Sequence, residues 1–464
     1  MLNFGRTVNQ VVIPELSEQI ILQTVAKAEQ EYKEKEMAER MTAMDFYYNV
    51  NMDKHIEQYF SSESLQQIPT FPQKVVPRFS RARMMLYKNP PKRIIGGEES
   101  DDYKEIAYML DSQTKCFSEL AWLLGSCHFK TKYNERKQRL EYEILPFVKE
   151  YYLNGDSEPY GYSYEIDKGN NKSRQYVFWS EDRDGMQGMH FRFDQQGKRY
   201  AVNGNEDMIN PYGITPISKV AYPSSSYDVV RSAVQIGIAM TEIALSVRSR
   251  LGQPVFTGID EGQSVIKSGI DSAIILPEGA SFQYVSPSGG IGEMIDSVKA
   301  FANQTAENNH LRIRWGESGG NSPSGEALRI LEIENLESRE SDIPYFKEWE
   351  HSRFEIDRII LEKHGVMNLS EDLSIDFGEV SYPMNVEQEL KMLDWKLANG
   401  VMSKRDLLLY FNPDMSDEEL AMKMGEVQEE RTQQIQADRQ ANQPAVFQSL
   451  RQEAQEPQEQ NDSQ

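Results

Sequence analysis

Residues 226–251, SYDVVRSAVQIGIAMTEIALSVRSRL, are the stretch that decides the fold. The serines at 224–226 offer an N-cap, and Arg248 and Arg250 suit the C-terminal end of a helix, where cations are favoured. Gly252 then stops the helix. The pattern predicts one helix of about 39 Å, because each residue adds about 1.5 Å. Small residues recur along it and allow another helix to approach closely.

Beyond this helix the sequence alternates between strand and helix patterns. Residues 252–290 predict a short β-rich insert, and residues 291–311 return to helix. Residues 312–325, RIRWGESGGNSPSG, form a Gly- and Ser-rich loop with a basic and aromatic start. Residues 326–364 carry the longest helical pattern of the chain, and Pro344 should kink that helix because proline removes a hydrogen-bond donor.

The residues before the central helix predict helices followed by a sheet. Residues 15–60 and 100–131 show helical periodicity. Residues 134–202 are rich in aromatics, alternate with a period of two and are broken by turn signals, which predicts an antiparallel meander of four or more strands. Residues 211–223 contain three prolines and predict a connector, because neither a long helix nor a central strand tolerates them.

The C-terminal part of the chain predicts four short elements and a tail. The elements are a strand at 373–383 and helices at 385–399, at 403–411 and from residue 416 onward. Ser416 and Glu419 form a capping box that opens the last helix. Residues 433–464 are rich in Gln, Glu and Asn with few apolar side chains, which predicts a disordered tail.

The composition bounds the class of protein. Single cores stop growing near about 250–300 residues, so a chain of 464 residues predicts two or more subdomains. The net charge of -23 argues against an ordinary DNA-binding domain, but it is compatible with a channel whose acidic wall repels phosphate. The two cysteines, Cys116 and Cys127, suit a reducing compartment. No signal-peptide pattern and no membrane-span pattern occur, so we expect a protein made in the cytoplasm, with no membrane partner.

The search for chemistry predicts no enzyme, no cofactor and no metal. The sequence contains no GxxxxGK[ST], HExxH or GxSxG, and its six histidines are scattered. Two acidic groups, EESDD at 98–102 and EDRD at 181–184, resemble metal-binding clusters, but both coincide with turn signals, which favours solvated loops. The basic stretch 78–93 predicts either a solvated helix end or a contact with an acidic neighbouring subunit or with nucleic acid.

The order of these pieces resembles the portal family of tailed phages. Three phrases carry the resemblance: PYGITPISKV before the central helix, SPSGEALRI at the start of the longest one, and NGVMSKRDLLLYFNPDMSDEEL near the end. In that family an S-G-x-A-L phrase opens the long spine helix. A G-x-x-S-K-x-x-L phrase, followed by Pro-Asp and an acidic helix, lies near the C-terminus. FVKEYY, GYSYEI and QYVFWSED also resemble the family's wing strands, so the likeness spans roughly residues 70–431.

The resemblance implies an α+β, mainly helical portal fold that assembles as a ring of twelve subunits. The implied parts are a wing of helices and antiparallel strands (1–225), a first stem helix (226–251), a small clip (252–290), a second stem helix (291–311), a tunnel loop (312–325), a kinked spine helix with a return wing strand (326–384) and helical crown segments (385–432). The tail (433–464) is predicted from its composition and lies beyond the resemblance.

The resemblance also implies two sets of site residues. Basic and aromatic groups on the tunnel loop would touch DNA. The DNA-facing set is Arg312, Arg314, Trp315, Glu317 and Ser318. Small and branched residues of the first stem helix would pack stem against stem. The stem-packing set is Ala233, Ile236, Ala239, Met240 and Ile243.

Function and partners follow from the same resemblance. The expected function is a non-enzymatic ring at one capsid vertex, through which double-stranded DNA is packaged and ejected. The expected partners are further copies of the chain, the terminase large subunit, a head-completion or adaptor protein of the head–tail connector, and the major capsid and scaffolding proteins. The expected location is the virion, with assembly in the host cytoplasm. Two alternatives stay open: another capsid-associated structural or adaptor protein, and a metal-dependent nuclease that uses the acidic groups.

Overall fold

The computed structural model describes residues 10–14, 17–30, 34–166, 174–194, 196–200, 209–249, 253–257, 279–285, 290–313, 333–379, 386–412 and 415–441. The chain divides into two compact units, one of residues 1–320 with 330–380 and one of residues 321–329 with 381–464. Helices and strands both occur in quantity, so the predicted α+β class is confirmed.

The first unit contains most of the described elements. Its helices are α1 (Glu18–Gln30), α2 (Glu34–Tyr48), α3 (Met52–Glu57), α4 (Ser62–Gln67), α5 (Val75–Arg83), α6 (Asp101–Ile106), α7 (Leu110–Leu124), α8 (Tyr227–Ser249), α9 (Ile291–Asn308) and α10 (Ile333–Lys363). Its strands are β1 (Gln10–Ile13), β2 (Lys92–Ile95), β3 (Glu98–Glu99), β4 (Ser126–Asn134), β5 (Arg139–Leu145), β6 (Val148–Leu153), β7 (Gly161–Ile166), β8 (Gln175–Ser180), β9 (His190–Asp194), β10 (Arg199–Tyr200), β11 (Ile217–Ala221), β12 (Gln253–Thr257), β13 (Ser281–Val285) and β14 (Leu373–Asp376).

The strands form four sheets. The large sheet has the order β1-β6-β7-β8-β9-β10, and two three-stranded sheets have the orders β11-β4-β5 and β14-β2-β3. Strands β12 and β13 pair with each other as a two-stranded ribbon. Within the large sheet β6 to β10 run antiparallel in sequence order, which confirms a meander, whereas β1 joins β6 in parallel.

The meander has the predicted four or more strands, but it begins later along the chain than the sequence predicted. The first alternating segment, LEYEIL, is β5, and it pairs with β4 in a separate sheet. Pro146 lies between β5 and β6 and cannot donate a backbone hydrogen bond, so the pairing changes there. The connector prediction is compatible with β11, which is an edge strand and begins directly after Pro216.

The helix predicted over 100–131 is wrong at its end. Helix α7 stops at Leu124 because Gly125 takes the left-handed conformation, with φ of 77°. A Cβ at Gly125 would lie 2.9 Å from the backbone nitrogen of Ser225, so only glycine fits. Residues 126–131 therefore belong to strand β4 and not to the helix.

Two large apolar clusters organise the first unit. The main core joins α2, α5, α7, α8 and α10 to the small sheets. At its centre Trp349 of α10 stacks on Phe117, with ring centroids 4.6 Å apart, and donates its indole N–H to the Ser218 hydroxyl at 2.9 Å. A second cluster lies between α1 and the large sheet and includes Ile21, Val25 and several sheet aromatics. The large sheet therefore has an apolar core of its own.

Helix α10 continues without a break through Pro344 and carries charged side chains into the main core. Glu350, Arg353 and Asp357 are each 0% exposed. Arg353 donates to Glu350 at 2.8 Å and pairs with Asp357. Arg93 donates to both oxygens of Glu350, at 2.7 and 3.0 Å. These buried charges are therefore held as a hydrogen-bonded network, as burial demands.

The network fixes opposite pKa directions on its two carboxyls. Burial raises the pKa of Asp357, which accepts hydrogen bonds from the Tyr103 hydroxyl at 2.7 Å and from Thr131 at 2.9 Å. Burial also acts to raise the pKa of Glu350, but the positive charges of Arg93 and Arg353 prevail and hold it at about 2. Glu350 is thus an anion at neutral pH, locked between two guanidinium groups.

The second unit contains three described helices, α11 (Val386–Ala398), α12 (Lys404–Phe411) and α13 (Asp417–Ala441). All three were predicted, and Ser416 and Glu419 bond as the expected capping box. The start of the predicted disordered tail is wrong, because α13 extends to Ala441. Gln, Glu, Ala and Arg are good helix formers even where little is buried. Residues 442–464 lie outside the described part.

Candidate functional site

The feature that stands out from the main core is an arm made of α8, the ribbon β12–β13 and α9. The hydroxyls of Ser232 and Thr305 lie 2.8 Å apart, and Asn309 donates to Asp228 at 2.9 Å. The beginning of α8 therefore meets the end of α9, and the two helices are antiparallel. The ribbon strands are antiparallel as well and lie between the two helices in sequence. Helices were predicted over 226–251 and 291–311, and both are observed as α8 and α9, whereas their role as stems stays a prediction.

The first two thirds of α8 are fixed in the main core. Val229, Val230 and Ala233 are 0% exposed. Thr241 accepts a hydrogen bond from the Phe71 backbone N–H at 3.0 Å, and a Cβ at Gly237 would lie only 2.4 Å from the Ile56 side chain. Exposure rises toward the other end, where Val247 is 53% exposed. The arm is thus rooted at one end and open to solvent near the other.

The predicted stem-packing residues fall into two groups, those buried within the subunit and those partly exposed. Ala233, Ile236 and Ile243 are buried by the chain itself, so their contacts lie within one subunit. Ala239 and Met240 are half-buried and keep surface for another subunit. For those two residues, packing between subunits stays a prediction.

The predicted tunnel loop is described only at its start. Arg312 is exposed, and its guanidinium lies 3.8 Å from the carboxylate of Glu334, the second residue of α10. The other four predicted residues lie outside the described part of the chain, namely Arg314, Trp315, Glu317 and Ser318. The DNA-facing role of the loop therefore stays a prediction.

Sequence reasoning missed the polar stripe of α9. Asp296, Ala300, Gln304 and Glu307 are spaced by about one helical turn and are all exposed. Residues three and four apart share one face of a helix, so this spacing was the available signal. The predictions had weighed the packing residues of the first predicted stem helix and the loop instead.

The two acidic groups considered as metal sites are each paired with a cation. In the first, Lys104 lies 2.5 Å from Glu99 and 3.5 Å from Asp101. In the second, Arg183 pairs with Glu181 and also with Asp156. Within the ranges that the structure describes, no three His, Cys, Asp or Glu side chains gather as metal ligands would.

The basic stretch 78–93 corrects another expectation, because two of its cations point into the chain. Arg83 pairs with buried Asp342 at 2.7 Å. Arg93 pairs with Glu350 of α10 and, at 2.7 Å, with Asp111 of α7. These two of the six cations therefore stabilise the subunit. The other four, Arg78, Arg81, Lys88 and Lys92, are exposed, and for them a solvated face or a contact with a partner stays a prediction.

One cleft of about 640 Å³ lies beside the large sheet. Its lining includes Lys149 and Ser163 from neighbouring strands and Glu29 from α1. Lys149 donates to Glu29 at 2.9 Å, and Ser163 also bonds to Glu29. The polar groups at its base are thus bonded to one another.

Helix α8 also has a property of membrane helices. Residues Tyr227–Arg248 are long and apolar enough to cross a membrane, with a mean hydropathy of 1.3, although 44% of the window is buried inside the protein. This concerns length and composition only, and a core helix passes the same test.

Comparison with known proteins adds no relative. No family model matches the chain, and a search of the curated proteins finds no match.

Proposed function

We propose that the chain is a portal subunit, many copies of which form a ring whose arms wall a channel for double-stranded DNA at one vertex of a virus capsid. The observation that carries the proposal is the arm: two antiparallel helices, rooted in the main core and connected through a two-stranded ribbon. The order of helix, ribbon, helix and long helix α10 supports it, because the resemblance implies the same order of stem helix, clip, stem helix and spine helix.

The dimensions of the arm agree with this role. Helix α8 has 23 residues, which gives a length of about 35 Å. A helix with its side chains is about 10–12 Å across, so one arm cannot enclose a duplex, whereas a closed ring of arms can. Rings of this kind use heterologous contacts, in which one face of a subunit meets a different face of the next.

The proposed partners follow from the role. The terminase large subunit and later a head-completion or adaptor protein would dock on the ribbon, and the ring would contact the major capsid and scaffolding proteins. The chain has no P-loop sequence, so a partner supplies the ATP hydrolysis. In this proposal the subunit itself catalyses nothing and resides in the virion after assembly in the host cytoplasm.

Electron microscopy of the purified protein tests the proposal directly. We expect face-on rings with a central hole, and a native mass that is a whole multiple of 53.5 kDa, with a factor of twelve expected from the resemblance. A protein that stays monomeric at all concentrations and salt conditions would refute the proposal. Incubation with a duplex and Mg²⁺ or Mn²⁺ separates it from the nuclease alternative, for which cleavage would be the evidence.

A further inference from the structure

The exposed faces of α8 and α9 carry matching series of residues. Along α8 the series is Arg231, Gln235, Ala239 and Glu242, of which Ala239 is half-buried and the others are exposed. Along α9 it is Glu307, Gln304, Ala300 and Asp296, all exposed. Each series therefore runs from a charge through an amide and a small residue to a second charge.

The two series also lie at the same heights along the arm. The bonded pairs Ser232 with Thr305 and Asp228 with Asn309 set the register between the helices. Counting from them, Arg231 is level with residue 306, one residue from Glu307. At about 1.5 Å per residue, the offset is about 1.5 Å. By the same count Gln235 is level with residue 302, two residues from Gln304.

Rotation in a closed ring leaves heights unchanged. Every subunit is related to the next by a rotation about the ring axis, so equivalent atoms share one height. If the arms run along that axis, residues that are level within one chain are also level across the contact with its neighbour. The α8 series of one copy then meets the α9 series of the next copy position by position.

We infer that this face of α8 is the docking surface for α9 of a second copy of the chain, with Arg231 of one copy paired to Glu307 of the next. The inference rests on the proposed function and names the seam of its ring. Opposite charges pair at the rooted end, two amides can bond in the middle, and Ala239 against Ala300 permits close approach. At the far end Glu242 lies one residue from the level of Asp296, which has the same charge, and within about 6 Å in height of Lys299, which lies 3.5 Å from Asp296 in its own chain. The charge complementarity of the seam therefore rests on Arg231 and Glu307.

In this assignment the polar stripe of α9 contacts a neighbouring subunit and does not face the DNA. Arg231 is 70% exposed and only loosely held in its own chain, where its guanidinium lies 3.5 Å from Glu39 and over the Tyr227 ring. An exposed pair at that distance contributes little, so the guanidinium is available to a second carboxylate. Complementary charge across an interface fixes its register and suppresses wrong partners.

A charge exchange tests the seam. The variants are Arg231→Glu, Glu307→Arg and the double variant, measured as the fraction of protein in rings by native mass spectrometry at one protein concentration. Each single variant should lower that fraction by about tenfold or more, because like charges then face each other, and the double variant should restore it. Arg136→Glu and Glu362→Arg are controls, because they make the same charge changes at exposed positions outside the arm.

The outcomes are distinct. Rings in both single variants, or no restoration in the double variant, would overturn the seam while the ring itself stands. The seam would also be overturned if Glu307→Arg formed rings normally but changed the retention of DNA, because the polar stripe of α9 would then face the channel. Wild-type protein that forms no rings would overturn the proposed function. Salt screens exposed ion pairs. The seam therefore also predicts that the fraction of wild-type protein in rings falls as the salt concentration rises from about 0.1 M to about 1 M, a range over which screening becomes strong.

Discussion

Replacing Arg353 by methionine tests whether the buried network holds α10 in place. The guanidinium is 0% exposed and joins Glu350, Asp357 and Tyr103. Arg353→Met leaves both carboxylates buried with less compensation, and such a loss costs about 3–5 kcal/mol. Glu350 keeps Arg93, so most of the cost should fall on Asp357, whose pKa burial already raises. The destabilisation should therefore shrink in acid, where Asp357 can take up a proton.

The matched control lies five residues further along the same helix. Arg358 pairs with Glu371 at 3.3 Å, and the Glu371 side chain is 82% exposed. Arg358→Met should cost about 0–1 kcal/mol, as surface pairs do. Urea unfolding followed by circular dichroism gives both values, provided the slope with denaturant stays the same. Equal costs for the two variants would show that the network does not contribute as described.

Three further predictions concern separate parts of the chain. Gly237→Ala should destabilise the protein by about 1–3 kcal/mol, because the added Cβ would collide with Ile56. Gly292→Ala in α9 should stabilise its helix by up to about 1 kcal/mol, because no atom lies within 4 Å of the added Cβ. Thermal unfolding compares the two variants. Burial, followed by the charges of Lys130 and Arg192, lowers the pKa of His190 to about 3, and its ring stacks on Trp179 with centroids 3.4 Å apart. As the pH falls, His190 therefore takes up a proton in the unfolded chain before it does so in the folded protein, so the free energy of unfolding should decrease from about pH 6.5 toward pH 3. In urea unfolding at several pH values across this range, the midpoint of His190→Phe should depend less on pH than that of the wild type. Deletion of residues 312–325 should leave rings intact by microscopy but impair DNA packaging or retention, and normal packaging would contradict the tunnel-loop assignment.

The sequence predicted those helices and strands correctly whose boundaries are set by neighbouring residues. The arm helices, the ribbon strands and α11 to α13 follow from periodicity, caps and turn residues that lie within a few positions of one another. The errors arise where a distant residue decides. Gly125 ends α7 beside Ser225, a hundred positions away, and β5 leaves the meander because β4 pairs with it.

The charges of α10 could not be assigned from the sequence. Glu350, Arg353 and Asp357 are spaced by three and four, which is the pattern of an exposed, salt-bridged helix face. They are buried because Arg93, Tyr103, Tyr142 and Thr131 arrive from other segments to bond them. Arg83 and Arg93 of the basic stretch were misjudged for the same reason, since Asp342 and Glu350 lie more than two hundred positions away. Sequence spacing reports which side chains share a face, but not what covers that face.

The separate apolar cluster under α1 affects which part of the subunit unfolds locally. Proteins open in cooperative parts, and a part with its own core can loosen while the rest stays closed. The residues that seat α8 belong to the main core, whereas those that seat α1 do not. We therefore expect α1 to open more readily than the base of α8, while a third apolar cluster, which includes Leu145 of β5 and Trp179 of β8, keeps the other face of the large sheet packed on the small sheet.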